Sequence, residues 1–162
     1  MLGKERAASA DNWDADAARK IAEGLKDLEG PLLPILHEFN ERFGFISNDA
    51  IVLIADVLNL TRAEVQGVVG FYHDFRRAPA GRHVIKLCRA EACQSMGSEA
   101  LAERLEHALG ISFGDTTADH RVTLEEVYCL GNCALSPSVL VDGELYGRAD
   151  EGKVLALVGA RS

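Results

Sequence analysis

Four cysteines set in two close pairs constrain this chain more than any other feature. Cys88 and Cys93 form a C-x4-C pair, Cys129 and Cys133 form a C-x3-C pair, and there are no further cysteines. Each pair is expected where a strand gives way to a loop, a setting in which successive backbone N–H groups can turn toward a negative guest. Two short-spaced pairs on a long connection meet the stoichiometry of a [2Fe-2S] cluster, two thiolates to each iron, with Cys88 and Cys93 assigned to one iron. Gly97, Gly131, Ala92, Ala134 and Ser95 keep the surrounding backbone small enough to approach such a guest. Structural zinc is the first rival, because four thiolates also satisfy a tetrahedral ion. Both spacings are wider than the C-x2-C knuckles common in zinc ribbons, which weighs toward the cluster. A dithiol redox pair is disfavoured by the absence of C-x-x-C.

At 162 residues, with 48% hydrophobic and 26% charged side chains, the chain can bury a core without covalent staples. The cysteines are therefore free for chemistry. The formal net charge of −8 is shared by both halves, so neither offers the clustered Lys and Arg that phosphate backbones require. Nucleic-acid binding is not expected. The first six residues, Met1, Leu2, Gly3, Lys4, Glu5 and Arg6, carry no apolar stretch of the signal-peptide kind. The greasiest run, residues 50–58, is interrupted by Asp56 and falls far short of the roughly 20 residues that cross a bilayer. A cytoplasmic chain without membrane insertion is expected, and in that reducing compartment cysteines serve metals or redox chemistry more often than disulfides.

Hydrophobic periodicity divides the chain. Ala17, Ala18, Ile21, Leu25 and Leu28 mark an amphipathic helix over residues 13–28. Gly30 and Pro31 end it and begin a second, lined by Leu32, Ile35, Leu36, Phe39 and Phe43 and stopped by Gly44. Ser47 is placed to cap a third helix, and Thr61 with Glu64 spells the S/T-x-x-E signature of a fourth. Residues 78–81, Ala-Pro-Ala-Gly, then break the pattern. Beyond them a strand over residues 83–88, a helix over 98–109, a strand within 121–129, a hairpin turning on Asp142 and Gly143, and a last helix over 151–158 are expected. The fold class is α+β, a helical domain over residues 1–80 followed by a small α/β domain over residues 81–162. No internal repeat or low-complexity segment is present.

The cysteine segments Cys88-Arg89-Ala90-Glu91-Ala92-Cys93 and Cys129-Leu130-Gly131-Asn132-Cys133, with Pro137 and the Tyr146-Gly147 hairpin, resemble the thioredoxin-like [2Fe-2S] ferredoxin family. The first half is similar to the helical segment of that family's 24 kDa subunit in residues 32–38 and 67–72, although Gly70 stands where many relatives carry Thr or Ser. Residues 87–97 look most like the gamma subunit of soluble NAD-dependent formate dehydrogenase. The resemblance implies a thioredoxin-like domain with Cys88, Cys93, Cys129 and Cys133 as ligands of one [2Fe-2S] cluster. It implies an electron-transfer subunit docked on a flavoprotein that binds FMN and NAD, and through it a molybdenum-containing formate dehydrogenase subunit. The equivalent subunits of respiratory NADH:quinone oxidoreductase and of NAD-linked hydrogenase are the alternatives within the family. No G-x-G-x-x-G or P-loop occurs here, so a nucleotide site belongs to a partner.

A rival of another class is an iron-sulfur helix-turn-helix regulator, suggested by residues 54–72, but Val65, Gln66, Gly67 and Val68 supply almost no base-reading side chains. His37, His73, His83, His107 and His120 read as ordinary surface or capping residues. Phe71, Tyr72 and Phe75 read as packing or partner contacts, and Trp13 is ambiguous. Arg89 and Glu91, inside the first cysteine loop, are expected either at a solvated tip or as charges that steer docking or potential. Glu125 and Glu126 are not expected to form a catalytic pair.

Overall fold

The computed structural model describes residues 13–159, and the chain divides after Pro79 into two compact units. The first is helical. Asp14 opens α1 (Ala15–Leu25), its carboxylate accepting from the N–H groups of Asp16 and Ala17 at 3.0 Å. The helix stops three residues earlier than the apolar spacing suggests. Leu28 N–H turns back to the Leu25 carbonyl at 3.1 Å, and Gly30 in the left-handed region (φ 68°) redirects the chain. α2 (Leu32–Phe43) follows Pro31 and ends at Gly44, which takes φ 84° and returns its N–H to Asn40.

Ser47 accepts from Ala50 N–H at 3.0 Å to start α3 (Asn48–Leu58), and Asn59 in the left-handed region ends it. α4 (Arg62–Phe71) opens with a complete capping box. Thr61 Oγ1 accepts from Glu64 N–H at 3.2 Å, while Glu64 Oε2 accepts from Thr61 N–H at 2.7 Å. The bond from Thr61 N–H, and after it one from Thr61 Oγ1 to Glu64 Oε2 at 2.7 Å, hold the Glu64 carboxyl below the usual carboxylate range. Thr61→Ala is expected to lower stability by about 1 kcal/mol, read as a shift in the urea midpoint of unfolding.

Ile35, Leu36, Phe39, Ile46, Ile54 and Val65 form the centre of this unit, and Trp13 packs on it with ring centroids 5.2 Å from Phe43 and 6.3 Å from Phe39. α3 and α4 pack against each other across the short connection at Asn59, Leu60 and Thr61. The open side of α4 presents Ala63, Glu64, Gln66, Gly67 and Gly70, with Arg62 its only cation, a poor set for reading bases.

The second unit is a four-stranded sheet in the order β2-β1-β3-β4. β1 (His83–Cys88) runs parallel to β2 (Val122–Val127), joined by α5 (Glu91–Ser95) and α6 (Ser98–Leu109). β3 (Val139–Val141) lies antiparallel to β1 and to β4 (Glu144–Tyr146), and α7 (Glu151–Gly159) completes the unit. Alternation explains the sheet's register: Ile85, Leu87, Val122, Leu124, Val139 and Val141 are fully buried and pack with Leu101, Leu105, Val154 and Val158 from the helices. The architecture is α+β.

The β3–β4 hairpin turns on two residues, Asp142 (φ 52°) and Gly143 (φ 88°), both in the left-handed region that the right-handed strand twist favours. Asp142 does more than turn. Its Oδ1 accepts from Val84 N–H at 2.8 Å and its Oδ2 stands 2.9 Å from His83 Nδ1, fixing the hairpin to the start of β1. His83, unremarkable in the sequence, is only 4% exposed.

Candidate metal centre

Both cysteine pairs emerge at the end of the sheet where β1 and β2 finish. Cys88 is the last residue of β1 and only 2% exposed. Its partner in the pair does not come from an open loop. Cys93 is the third residue of the short helix α5, equally buried, with its N–H bonded to the Ala90 carbonyl at 2.9 Å. The second pair is exposed. Cys129 follows β2 in a left-handed conformation (φ 75°), Gly131 takes another (φ 74°), and Cys133 opens a single 3-10 turn, Cys133–Leu135. These two reversals fold the segment back so that Cys129 and Cys133 bring their sulfurs to 3.8 Å.

The two segments meet at sulfur. Burial alone would raise the pKa of the Cys88 thiol, but hydrogen bonds from Ala90 N–H, the Cys93 side chain, and the N–H groups of Leu130 and Cys129 outweigh it and leave the thiol below its ordinary value. Cys93 Sγ lies 3.4 Å from Ser136 Oγ, which donates to the Cys133 carbonyl at 2.7 Å. Cys133 is pushed the other way. Its hydrogen bond with Cys129 and the charge of that sulfur raise it, followed by burial and by the charges of Cys93 and Cys88. Four thiolates gathered this closely repel one another, and a cationic guest would remove that cost.

Among the described residues no group of three or more His, Cys, Asp or Glu closes around a point fit for a single metal ion. Cys129 and Cys133 bring one pair of sulfurs together, and Cys88 and Cys93 lie at the same end of the sheet. The donor set fits a binuclear guest. Asn132 and Ser138 brace the second segment, Asn132 Nδ2 donating to Ser138 Oγ at 3.2 Å and Ser138 Oγ to the Asn132 carbonyl at 3.2 Å. The Ser136–Pro137 peptide bond is cis. Gly147 lies against the same segment, with no room for a side chain: a Cβ there would meet Leu135 Cβ at 2.5 Å.

The histidines hold other places. His83 is bound to Asp142, and His37 stacks edge-on against Phe75 at 5.1 Å. Arg89 is not a solvated tip. Its guanidinium reaches Glu99 and Glu126 and lies over Phe113, and the Glu99 bond holds that carboxyl below the usual range. Glu91, in contrast, is exposed. A cleft of the helical unit, about 550 Å³ and lined by Leu32, Leu33, Val57, Leu58, Val68 and Tyr72, contains none of the cysteines.

Residues 18–161 match the family model described as thioredoxin-like [2Fe-2S] ferredoxin. This chain belongs to that family. As a thioredoxin-like ferredoxin it is 32% identical over 138 residues to a subunit of the NADH-quinone oxidoreductase of Buchnera aphidicola, covering 85% of this chain and 81% of that one. It is 34% identical over 135 residues to a subunit of the NADP-reducing hydrogenase of Solidesulfovibrio fructosivorans, covering 83% and 79%. Among solved structures, the NAD+-reducing [NiFe]-hydrogenase in its air-oxidized state superposes with a TM-score of 0.67 at 26% identity. That match covers 80% of this ferredoxin-family chain and 23% of the hydrogenase chain. Among the described residues no helix is long and apolar enough to cross a membrane.

Proposed function

We propose that Cys88, Cys93, Cys129 and Cys133 hold one [2Fe-2S] cluster and that the chain is a one-electron relay within a larger NAD-linked oxidoreductase. The observation that carries this reading is that the pairing of β1 with β2 delivers both cysteine segments to one end of the sheet, where Cys129 and Cys133 bring their sulfurs to 3.8 Å and Cys93 Sγ reaches Ser136 Oγ, itself bonded to the Cys133 carbonyl. β1 and β2 are paired as far as Cys88 and Val127, so the two cysteine segments leave the sheet side by side, placed to share one guest. When bound, the cluster supplies reversible uptake of a single electron. The chain's part is to bind and shield. Cys88 and Cys93 withdraw one pair of ligands from solvent, Cys129 and Cys133 keep the other pair at the surface, and backbone N–H groups favour added negative charge.

The partner in this reading is a flavoprotein subunit that binds FMN and NAD, where hydride chemistry involving two electrons meets one-electron transfer. The parent enzyme is proposed to be a soluble, cytoplasmic NAD-dependent formate dehydrogenase with a molybdenum-containing catalytic subunit. Residues 87–97 support that choice by their likeness to the gamma subunit of such enzymes. A second reading, the equivalent subunit of NADH:quinone oxidoreductase or of an NAD(P)-linked hydrogenase, is favoured by the names of the relatives above. Isolating the native complex through an affinity tag on this chain separates the two. Copurifying molybdenum with formate-dependent NAD reduction is expected; nickel with hydrogen-dependent reduction, or membrane-bound quinone reductase subunits, would reject the formate assignment.

A further inference from the structure

Arg89 lies between Cys88 and Cys93 and is fastened at both main chain and side chain. Its N–H donates to the Val127 carbonyl of β2 at 2.9 Å, and its carbonyl accepts from Gln94 Nε2 of α5 at 2.9 Å. The guanidinium forks onto Glu99 in the first turn of α6, Nε to Oε1 at 3.1 Å and Nη2 to Oε2 at 2.5 Å. Nη1 donates to Glu126 Oε2 of β2 at 2.9 Å, and the plane lies 5.3 Å from the Phe113 ring centroid. One side chain thereby ties the segment that carries the first cysteine pair to a helix, a strand and an aromatic ring. Its side chain is only 28% exposed, so these bonds are partly shielded from competing water.

We propose that Arg89 is the positioning residue of the first cysteine pair, holding Cys88 and Cys93 at the spacing their iron requires. The proposal rests on the ligand assignment above. Two carboxylates surround one guanidinium, so the group is not a free cation steering a partner or adding net positive charge beside the sulfurs. Its contribution is geometric. Lysine keeps the charge but has neither the planar fork that meets Glu99 through two bonds nor the flat face that covers Phe113. Arg89→Lys is therefore the informative substitution, and Glu99→Gln takes the charge and one of the two acceptors from the opposite side of the same contact.

The test uses the full chain, reconstituted anaerobically, with three readings: the rate of cluster loss to an iron chelator, the EPR spectrum of the reduced protein, and urea unfolding of the iron-free form. Arg89→Lys is expected to lose its cluster about tenfold faster than the unsubstituted chain, as replacement of groups that orient metal ligands commonly does. Its EPR g-values are expected to shift, and Glu99→Gln is expected to change both readings in the same direction by less. A merely structural role would lower the stability of the iron-free form while leaving the spectrum unmoved, and that result overturns the proposal. Unchanged cluster lifetime and spectrum in both variants also overturn it. A chain that binds iron in neither substituted nor unsubstituted form would instead defeat the ligand assignment on which the proposal stands.

Discussion

Cys88→Ser is expected to give a folded chain that no longer keeps an iron-sulfur cluster. Cys88 is 2% exposed at the end of β1, beside the segment that follows β2, and the N–H groups of Ala90, Leu130 and Cys129 help to hold its thiol below the ordinary pKa. A serine oxygen there is harder, shorter in reach and far less easily deprotonated than the thiol, so one iron loses a ligand suited to it. The same donors can bond the hydroxyl, and the buried sheet residues Ile85, Leu87, Val139 and Val141 keep their packing, so folding survives. Cluster occupancy after reconstitution should fall by at least about tenfold. Visible absorption and iron content read the loss, and circular dichroism checks that the fold is kept. Unsubstituted levels of both would remove Cys88 from the ligand set.

Gly147→Ala is expected to destabilise the second unit by about 3 kcal/mol, toward the upper end for a methyl forced into packed structure. The added carbon would sit 2.5 Å from Leu135 Cβ and 2.9 Å from both Asn132 Nδ2 and the Leu135 carbonyl oxygen. Retreat is obstructed. Arg148 N–H donates to that same Leu135 carbonyl at 2.6 Å, and Ala149 N–H to the Pro137 carbonyl at 2.9 Å, lacing the chain after β4 onto the second cysteine segment. Relief therefore requires residues 132–135 to move, and Cys133 moves with them. A lowered urea midpoint with an unchanged slope is expected, together with weaker cluster retention. A midpoint equal to that of the unsubstituted chain would contradict the steric reading of this contact.

Short-range chemistry was legible in the sequence. Thr61 with Glu64, Ser47 with Ala50, Gly44, and the Asp142-Gly143 turn each act within four residues, so spacing and residue type are enough to place them. The cysteine pairs were legible for the same reason. Contacts between distant segments were not. His83 and Asp142 are 59 residues apart, and Arg89 is 37 from Glu126; no local pattern pairs them. An arginine between two cysteines looks like a loop tip until α6 and β2 supply carboxylates on either side of it.

The hairpin shows a smaller difference of the same kind. The apolar run suggests strands over residues 138–141 and 145–147, yet the two-residue turn pairs Val141 with Glu144, so β4 begins one residue earlier. The strand ending at Cys88 suggests a loop for Cys93, yet that residue lies in α5, because Glu91 to Ser95 close one helical turn directly after the strand. Gly147 was legible only as part of the family resemblance, since its need for glycine comes from the approach of Leu135 and not from its own conformation. The N-terminal residues 1–12, used in the expectation about export, lie outside the described residues.

Iron and acid-labile sulfide analysis of anaerobically purified protein, joined to EPR after reduction, bears most directly on the central assignment. About two irons and two sulfides per chain are expected, with a spectrum from one unpaired electron that appears only on reduction. A colourless protein carrying zinc in place of iron, silent in EPR before and after reduction, would contradict it.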